Sequence, residues 1–317
     1  MHVLGIDAGG TKTVCLLANE HGTIVSAARG SGANLHVAGE LAVEKVLHEV
    51  MEQAIGDRPV VPAAICLGIA GVDREDEAQT VRAIMRRIGY KSRVLVVNDA
   101  LIALVAGAHD DPGVVIIAGT GSIVYGRNAD AEAARAGGWG HMIGDEGSGY
   151  WIGREALAAV MRAADGRGPA TALSAEILGH FNVADVSRLP RIVYDREMPR
   201  MSVAALGPIV QTVAADGDAV AVRILERAAD ELVLGAQSVT TRLEMRGDPF
   251  TFYLAGGVFG VVPWLADELP RRLAEVAPRS QVQILQEEPA AGAVWLALAE
   301  GRGGAQVPRY KPAMADG

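Results

Sequence analysis

One local pattern occurs twice in this chain: an apolar run, a turn rich in Gly and Thr, and a second apolar run that turns back along the first. In the first copy, apolar residues at 3–6 and 13–17 flank Gly9-Gly10-Thr11, and in the second, 114–117 and 123–125 flank Gly119-Thr120-Gly121. A short glycine turn makes neighbouring strands antiparallel. Because a repeated unit indicates a duplicated fold, the sequence predicts two similar halves, each built around a β-hairpin.

The rest of the chain predicts the layers around these hairpins. Strand 23–25 follows the first hairpin, and apolar spacing then alternates between the helical and the strand period, which gives the order βββαβαβα. This order predicts an α/β fold, with a mixed sheet that is covered by helices. The predicted helices of this half are 41–55, 74–88 and 100–108, and those of the second half are 147–163, 170–181, 202–215, 218–245, 261–276 and 290–300.

The same pattern gives the expected domain boundaries. We expect an N-terminal lobe of residues 1–113 and a C-terminal lobe of 114–300, with a helical insertion at about 147–245. Residues 301–317 are rich in Gly and Pro and are predicted to be a flexible tail.

Composition disfavours several classes of function. The 38 acidic and 29 basic residues give a net charge of −9, and nucleic acid binding needs a basic face. No run approaches the ~20 apolar residues of a membrane span. Cys15 and Cys66 lie in apolar runs and no CxxC pair occurs, which predicts buried, reduced thiols in a cytosolic protein.

Glycine-rich turns after apolar runs are the first candidates for a binding site. The backbone amides of such turns can approach phosphate oxygens closely, and Thr adds a hydroxyl donor. A single turn of this kind is more often an ordinary hairpin turn, but their repetition in one strand context favours a nucleotide site. These turns are Gly9-Gly10-Thr11, Gly119-Thr120-Gly121, Gly137-Gly138-Trp139-Gly140 and Gly256-Gly257.

Two aspartates stand at the ends of predicted strands. Asp7 ends the first strand, where a carboxylate can hold Mg²⁺ beside phosphates, although it can also cap a turn. Asp99 follows the strand at 94–97, where it can accept the proton of a hydroxyl that attacks a phosphoryl group. Its alternative role is the N-cap of helix 100–108, and the two roles are compatible.

The segment 137–149 is the densest in candidate residues, with six glycines, one Trp, one His and two adjacent acids. The flat ring of Trp139 suits the apolar face of a sugar, with core packing as the alternative. Asp145 and Glu146 precede a predicted helix, so capping is their alternative role. Asn34 alone is only a loop asparagine.

Together these residues resemble the N-acetylglucosamine kinases of the BadF/BadG/BcrA/BcrD ATPase family, within the sugar kinase/Hsp70/actin superfamily. The resemblance covers about residues 3–300 and is most specific over 137–153. It implies two ribonuclease-H-like (actin-like ATPase) lobes with a central cleft, the second carrying the helical insertion. The stretches that carry it are residues 5–13, Gly71-Val72-Asp73-Arg74-Glu75-Asp76, Asn98-Asp99-Ala100, Ile117 to Ser122, Gly137 to Gly153 and Leu254 to Phe259.

The resemblance also implies ATP-dependent phosphorylation of the 6-hydroxyl of an amino sugar, with N-acetylglucosamine as the expected acceptor. Asp99 would be the catalytic base, and Asp7 would organise Mg²⁺ with the ATP phosphates. The family further implies a cytoplasmic homodimer whose partner is a small amino sugar, with no nucleic acid and no membrane. The implied nucleotide contacts are Gly9, Gly10, Thr11, Lys12, Thr120, Gly121, Gly256 and Gly257, and the implied sugar contacts are Asn34, Asp99, Gly138, Trp139 and Asp145.

Departures from the family pattern leave alternatives open. The chain has Asn34-Leu35-His36 where the animal enzymes have Asn-His-Trp, and Ile123-Val124-Tyr125 where they are more polar. Glucosamine and N-acetylmuramic acid therefore remain candidate acceptors. An ATPase activator of a redox dehydratase is a candidate from another class, but Cys15 and Cys66 in predicted strands do not suit its iron–sulfur cluster. A sugar-responsive DNA-binding regulator is disfavoured by the negative charge.

Overall fold

The computed structural model describes residues 1–35, 39–72, 75–195 and 198–311. His36 and the motif residues Asp73 and Arg74 lie outside these ranges.

The first sheet contains the predicted antiparallel meander and two further strands. Its order is β3-β2-β1-β4-β5, in which β1, β4 and β5 run parallel. Register pairs Ala8 of β1 with Ile69 of β4, and Ile69 with Asn98 of β5. Asp7 and Asp99 therefore lie at the same edge of the sheet, where its parallel strands end. The strands are β1 (His2–Ala8), β2 (Lys12–Asn19), β3 (Ile24–Ser31), β4 (Ala64–Ile69) and β5 (Arg93–Asn98).

Helices cover both faces of this sheet, as the alternating pattern predicts. Helix α1 (Glu40–Ile55) buries its apolar stripe in one core cluster with β1, β2 and β4, and α2 (Glu75–Ile88) joins the same cluster. Helix α3 (Asp99–Ala108) is apolar over nearly its whole length and is buried. The helix α12 (Pro289–Arg302), near the end of the chain, packs against both β1 and α3.

Two glycines permit the close approach of α12. A methyl group added at Gly5 of β1 would lie 2.7 Å from the carbonyl oxygen of Ala290. One added at Gly292 would meet the Ile102 carbonyl and lie 2.7 Å from the Ala106 amide nitrogen. Since these neighbours are backbone atoms, which cannot swing aside, both crossings need glycine.

The second sheet has six strands in the order β10-β9-β6-β7-β8-β11. Its short last strand ends the described chain and runs parallel to β8, pairing Arg309 with Glu132. This part of the predicted flexible tail is therefore ordered as a strand, and residues 312–317 lie outside the described ranges. The strands are β6 (Gly113–Ala118), β7 (Ser122–Arg127), β8 (Glu132–Gly137), β9 (Thr251–Ala255), β10 (Gln281–Ile284) and β11 (Arg309–Tyr310).

One helix predicted as continuous is divided in the structure. The predicted helix 202–215 forms α7 (Arg200–Ala204) and α8 (Gly207–Ala215). The predicted helix 261–276 corresponds to α11 (Pro263–Val276), which follows the short helix α10 (Val258–Val261). Both α8 and α11 begin with a proline in their first turn, where its missing N–H is tolerated. The other helices are α4 (Gly149–Ala164), α5 (Leu173–His180), α6 (Leu189–Val193) and α9 (Ala219–Arg242), with a 3₁₀ turn at Val186–Arg188.

The chain divides into two compact units. The first unit comprises residues 1–115, 125–134 and the chain from Leu285 onward, and the second comprises 116–124 and 135–284. Helix α12 thus belongs to the first unit, although it follows the second in sequence.

Both cysteines are free and buried, as the sequence predicts. Burial raises the pKa of the Cys15 thiol to about 12, and the pKa of Cys66 is raised as well. Within the described ranges, no helix combines the length and the apolar character that crossing a bilayer requires.

Candidate active site

The hairpin between β1 and β2 carries the first predicted phosphate turn. The Gly9 amide donates to the Lys12 carbonyl at 3.0 Å, and the Ala33 amide donates to the Gly9 carbonyl at 3.0 Å. Gly10, Thr11 and Lys12 at the tip are exposed. The Ala33 bond ties the segment after β3 to this turn, so the structure brings half-buried Asn34 beside it.

Several acidic side chains lie close to one another near this turn. Burial, and next the charge of Asp99, raise the pKa of Asp7 to about 7, and the Glu288 carboxylate acts in the same direction. The Lys12 ammonium opposes them. The carboxyl groups of Asp7 and Asp99 are therefore close enough to repel each other, as expected from two strand ends at one sheet edge. Such a field favours a bound cation.

Asp99 is the first residue of α3 and is not its N-cap. The cap is Asn98, whose side-chain oxygen accepts a hydrogen bond from the Ala100 amide at 2.8 Å. The capping alternative for Asp99 is therefore wrong. At the start of the helix, the carboxylate of Asp99 is stabilised by the helix dipole.

Glu288 is a charged neighbour of this turn that the sequence analysis missed. It precedes α12, accepts a hydrogen bond from the Arg29 guanidinium at 2.7 Å, and lies 4.0 Å from the Lys12 ammonium. An exposed ion pair of this kind contributes little stability. The ion pair does place an acid beside the lysine of the phosphate turn. No local sequence pattern predicts this contact.

The second predicted phosphate turn belongs to the other unit. The Gly119 amide donates to the Gly121 carbonyl at 2.8 Å, and the Gly149 amide donates to the Gly119 carbonyl at 2.8 Å. A methyl group added at Gly121 would lie 2.7 Å from Oδ2 of Asp145. The turn carrying Thr120 thus packs against the start of α4, and the structure brings Gly121 and Asp145 together.

Asp145 is buried and has a left-handed backbone, with φ of 60°. Burial raises the pKa of its carboxyl group, although hydrogen bonds from the backbone amides of Ser122 and Gly140 partly oppose this. The N-cap of α4 is Ser148, which accepts from the Trp151 amide at 3.1 Å, so the capping alternative for Asp145 is wrong. A buried acid on a strained backbone is typical of a functional site.

Trp139 is a surface residue, with 59% of the side chain exposed, so the core-packing alternative is wrong. The guanidinium of Arg135 lies over its ring, 4.5 Å from the ring centre. Gly138 before it is also exposed and has φ of 72°. The ring and the glycine backbone are therefore accessible to a ligand.

The Gly256-Gly257 turn packs against the end of β6. Gly256 has φ of 104°, and a methyl group there would meet the Ala118 carbonyl, at 2.7 Å from its carbon. This contact places the predicted adenosine turn directly beside the second phosphate turn, within the same unit.

The predicted site residues therefore form two groups, one in each unit. Asp7, Gly9, Gly10, Thr11, Lys12, Asn34 and Asp99 belong to the first unit, and Thr120, Gly121, Gly138, Trp139, Asp145, Gly256 and Gly257 belong to the second.

Known proteins resemble the chain over nearly its whole length. It is 35% identical to an N-acetylmuramic acid/N-acetylglucosamine kinase of Clostridium acetobutylicum, over 94% of this chain and 99% of the relative. It is 33% identical to an N-acetyl-D-glucosamine kinase of Dictyostelium discoideum, over 93% of this chain and 97% of that protein.

Its fold matches solved structures as well. The crystal structure of a proposed N-acetylglucosamine kinase from Chromobacterium violaceum superposes with a TM-score of 0.73 at 28% identity, covering 94% of this chain and 98% of that one. The sequence model of the BadF/BadG/BcrA/BcrD ATPase family matches residues 4–297. The two glycine-turn sheets and the agreement over full lengths lead to one conclusion: this chain is a member of the BadF/BadG/BcrA/BcrD ATPase family.

Proposed function

We propose that this chain is an ATP-dependent kinase that phosphorylates the 6-hydroxyl of an amino sugar, with N-acetylglucosamine as the leading acceptor. The observation that carries the proposal is the position of Asp99, at the start of α3 and beside Asp7. A carboxylate there can take the proton of a hydroxyl next to a site of bound phosphates. The names of the relatives agree with this reaction.

Asp99 acts as the general base in this proposal. It accepts the proton of the sugar 6-hydroxyl as that oxygen attacks the γ-phosphorus of ATP, and the bond to the ADP oxygen breaks. Its backbone is fixed by the Asn98 cap and by α12 packing on α3. Since phosphoryl transfer depends mainly on positioning, a rigid base is worth more than a mobile one.

The glycine turns would hold the nucleotide. Exposed Thr11 and Lys12 offer a hydroxyl and an ammonium to the phosphates. In the second unit, Thr120 would offer a hydroxyl and Gly121 a backbone amide. Gly256 and Gly257 would border the adenosine, since their turn packs beside the second phosphate turn.

The residues beside the first turn fit Mg²⁺ that is shared with ATP. The described residues contain no group of three or more His, Cys, Asp or Glu that could enclose a metal by themselves. Mg²⁺ commonly takes one or two carboxylates and fills its remaining positions with phosphate oxygens and water. Asp7, whose pKa is raised first by burial and then by nearby acids, would hold the ion. When bound, Mg²⁺ neutralises charge on the phosphates.

The sugar would be held by Asn34, Gly138, Trp139 and Asp145, in addition to Asp99. The Asp145 carboxylate can accept hydrogen bonds from sugar hydroxyls, and the exposed Trp139 ring can contact the apolar face of a pyranose. Glucosamine and N-acetylmuramic acid remain alternative acceptors. We also propose that the chain forms a homodimer and is located in the cytoplasm, where ATP is available. Light scattering tests the homodimer, and cell fractionation tests the location.

An acceptor panel tests the reaction. We expect ATP consumption by the purified chain with Mg²⁺ only when an amino sugar is present. The panel compares N-acetylglucosamine, glucosamine, N-acetylmuramic acid, N-acetylmannosamine and glucose at matched concentrations. Release of ADP in the absence of sugar would contradict the proposal. So would a failure to release ADP with any of the five sugars.

The variant Asp99→Asn tests the base. We expect kcat to fall by about two to four orders of magnitude, with ATP affinity retained, because the amide cannot accept the proton. Asp57→Asn, at an exposed aspartate of the same unit, is the matched control. Near-normal turnover by Asp99→Asn would remove Asp99 from the mechanism.

A further inference from the structure

A second feature of the 137–149 segment is not used by the proposed phosphoryl transfer: a contact between His141 and Arg200, the first residue of α7. Nη1 of Arg200 lies 3.3 Å from Nδ1 of His141. Because a guanidinium can only donate, Nδ1 accepts this hydrogen bond and the imidazole carries its proton on Nε2. Tyr150 packs edge-on against the imidazole, with ring centres 5.1 Å apart, and so fixes its orientation.

The positive charge of this pair resides on Arg200. Burial and the Arg200 charge lower the pKa of His141, so its ring is neutral near pH 7. Among the described residues, Arg200 forms its hydrogen bond with this neutral ring and no ion pair with a carboxylate within 4.0 Å. Several other arginines of the second unit do pair with acids, for example Arg227 with Glu155 at 2.7 Å.

This cation lies beside the proposed sugar contacts. His141 follows Gly140, whose amide donates to Oδ1 of Asp145 at 3.3 Å. The Arg200 charge acts on the Asp145 carboxyl group and lowers its pKa against the effect of burial. The guanidinium is therefore near Asp145, a proposed sugar contact of the same unit.

We propose that Arg200, held by His141, is a specificity-determining residue that binds the carboxylate of an acidic amino sugar. This inference rests on the proposed kinase function and names a substrate class for it. A neutral acetamido sugar offers no charge to a guanidinium, whereas a sugar with a carboxylate on an ether substituent offers two oxygens for a charge-assisted contact. N-acetylmuramic acid, which carries a lactyl ether, is such a sugar.

The overall charge of the chain means that an acidic sugar needs a local cation in order to bind. The chain has a net charge of −9, which repels an anionic sugar at long range. A fixed guanidinium beside the pocket offsets that repulsion at the point of contact. The relative from Clostridium acetobutylicum is named for both the acidic and the neutral sugar.

The experiment compares the two sugars in matched variants. Initial rates of ATP consumption are measured with N-acetylmuramic acid and with N-acetylglucosamine, over a range of sugar and ATP concentrations. The variants are Arg200→Gln, Arg200→Lys and His141→Gln. Arg154→Gln, at a half-exposed arginine on α4, is the control.

We expect Arg200→Gln to lower kcat/KM for N-acetylmuramic acid about 10- to 100-fold more than for N-acetylglucosamine, because a charge-assisted contact is lost. Arg200→Lys should keep part of the wild-type ratio of kcat/KM for N-acetylmuramic acid to kcat/KM for N-acetylglucosamine. His141→Gln should lower this ratio less than Arg200→Gln does. Added salt raises KM for the acidic sugar selectively in the wild type. If Arg200→Gln does not fold, Arg200→Lys and His141→Gln test the same selective loss with N-acetylmuramic acid, at a smaller size.

Four results would overturn the inference. Equal losses with both sugars indicate a structural role, and a raised KM for ATP with both indicates that Arg200 serves phosphates. A wild type that phosphorylates N-acetylglucosamine but not N-acetylmuramic acid refutes the acidic substrate and leaves the kinase intact. A wild type inactive on every amino sugar refutes both proposals.

Discussion

Replacing Asp7 with Asn should stabilise the ligand-free chain while it weakens catalysis. The pKa of Asp7 is raised from 3.8 to about 7, first by burial and then by the negative charge of Asp99. The two values differ by about 3, and each pKa unit corresponds to about 1.4 kcal/mol. Ionisation of Asp7 therefore costs the folded state about 4 kcal/mol, as an upper limit that relaxation reduces.

The sign of the pH dependence follows from the same values. The unfolded chain releases this proton near pH 3.8 and the folded chain near pH 7, so between these values the folded state binds more protons. Wild-type stability accordingly falls as the pH rises through this window, and the whole cost is present above pH 7. Asn carries no such charge. About 2.5 kcal/mol of the difference should develop between pH 5 and pH 8.

Denaturant unfolding at several pH values measures this difference, with EDTA present and nucleotide absent. We expect Asp7→Asn to be more stable than the wild type by an amount that grows from pH 5 to pH 8. The control Asp57→Asn, at an exposed carboxyl, should track the wild type. A stability difference between Asp7→Asn and the wild type that stays constant with pH would refute the reasoning. A pKa that is raised in the folded state must make the stability of the wild type depend on pH.

Three further variants test packing and binding. Gly292→Ala forces a methyl group against backbone of α3, 2.7 Å from the Ala106 amide nitrogen, and should lower unfolding stability by about 2 kcal/mol or more, whereas Gly179→Ala, with no atom nearby, should not. Gly121→Ala should raise KM for the sugar by displacing the Asp145 carboxylate, and steady-state kinetics will show no such change if that contact is unimportant. Asp145→Asn should lower kcat/KM about 10- to 100-fold, with KM for ATP retained; an equal effect on ATP would contradict the assignment to sugar.

The succession of strands and helices in the first half could be predicted from the sequence because its signals are local. Apolar runs, glycine turns and helical spacing all lie within about fifteen residues, and they indicated the meander and the position of Asp99 after β5. The cap of α3 was misassigned because Asn98 and Asp99 are both good capping residues and only backbone geometry distinguishes them.

The remaining site features depend on contacts between distant segments. Glu288 reaches Lys12 and Arg29 only because α12 packs on β1, and nothing around Glu288 in the sequence indicates that contact. Arg200 and His141 are likewise far apart in sequence. The division of the predicted helix 202–215 was within reach of sequence reasoning, since Pro208 marks a new first turn.

The order in which the segments of the first unit leave the ribosome has a consequence for synthesis. Its β1 is made before the second unit, but the helix that covers Gly5 is made only after the whole of the second unit. During translation, the face of β1 that packs against α12 therefore stays unpacked until that helix has been made. A nascent chain that stops before Pro289 should bind chaperones and be cleaved readily by proteases, although every residue of both glycine turns is already present.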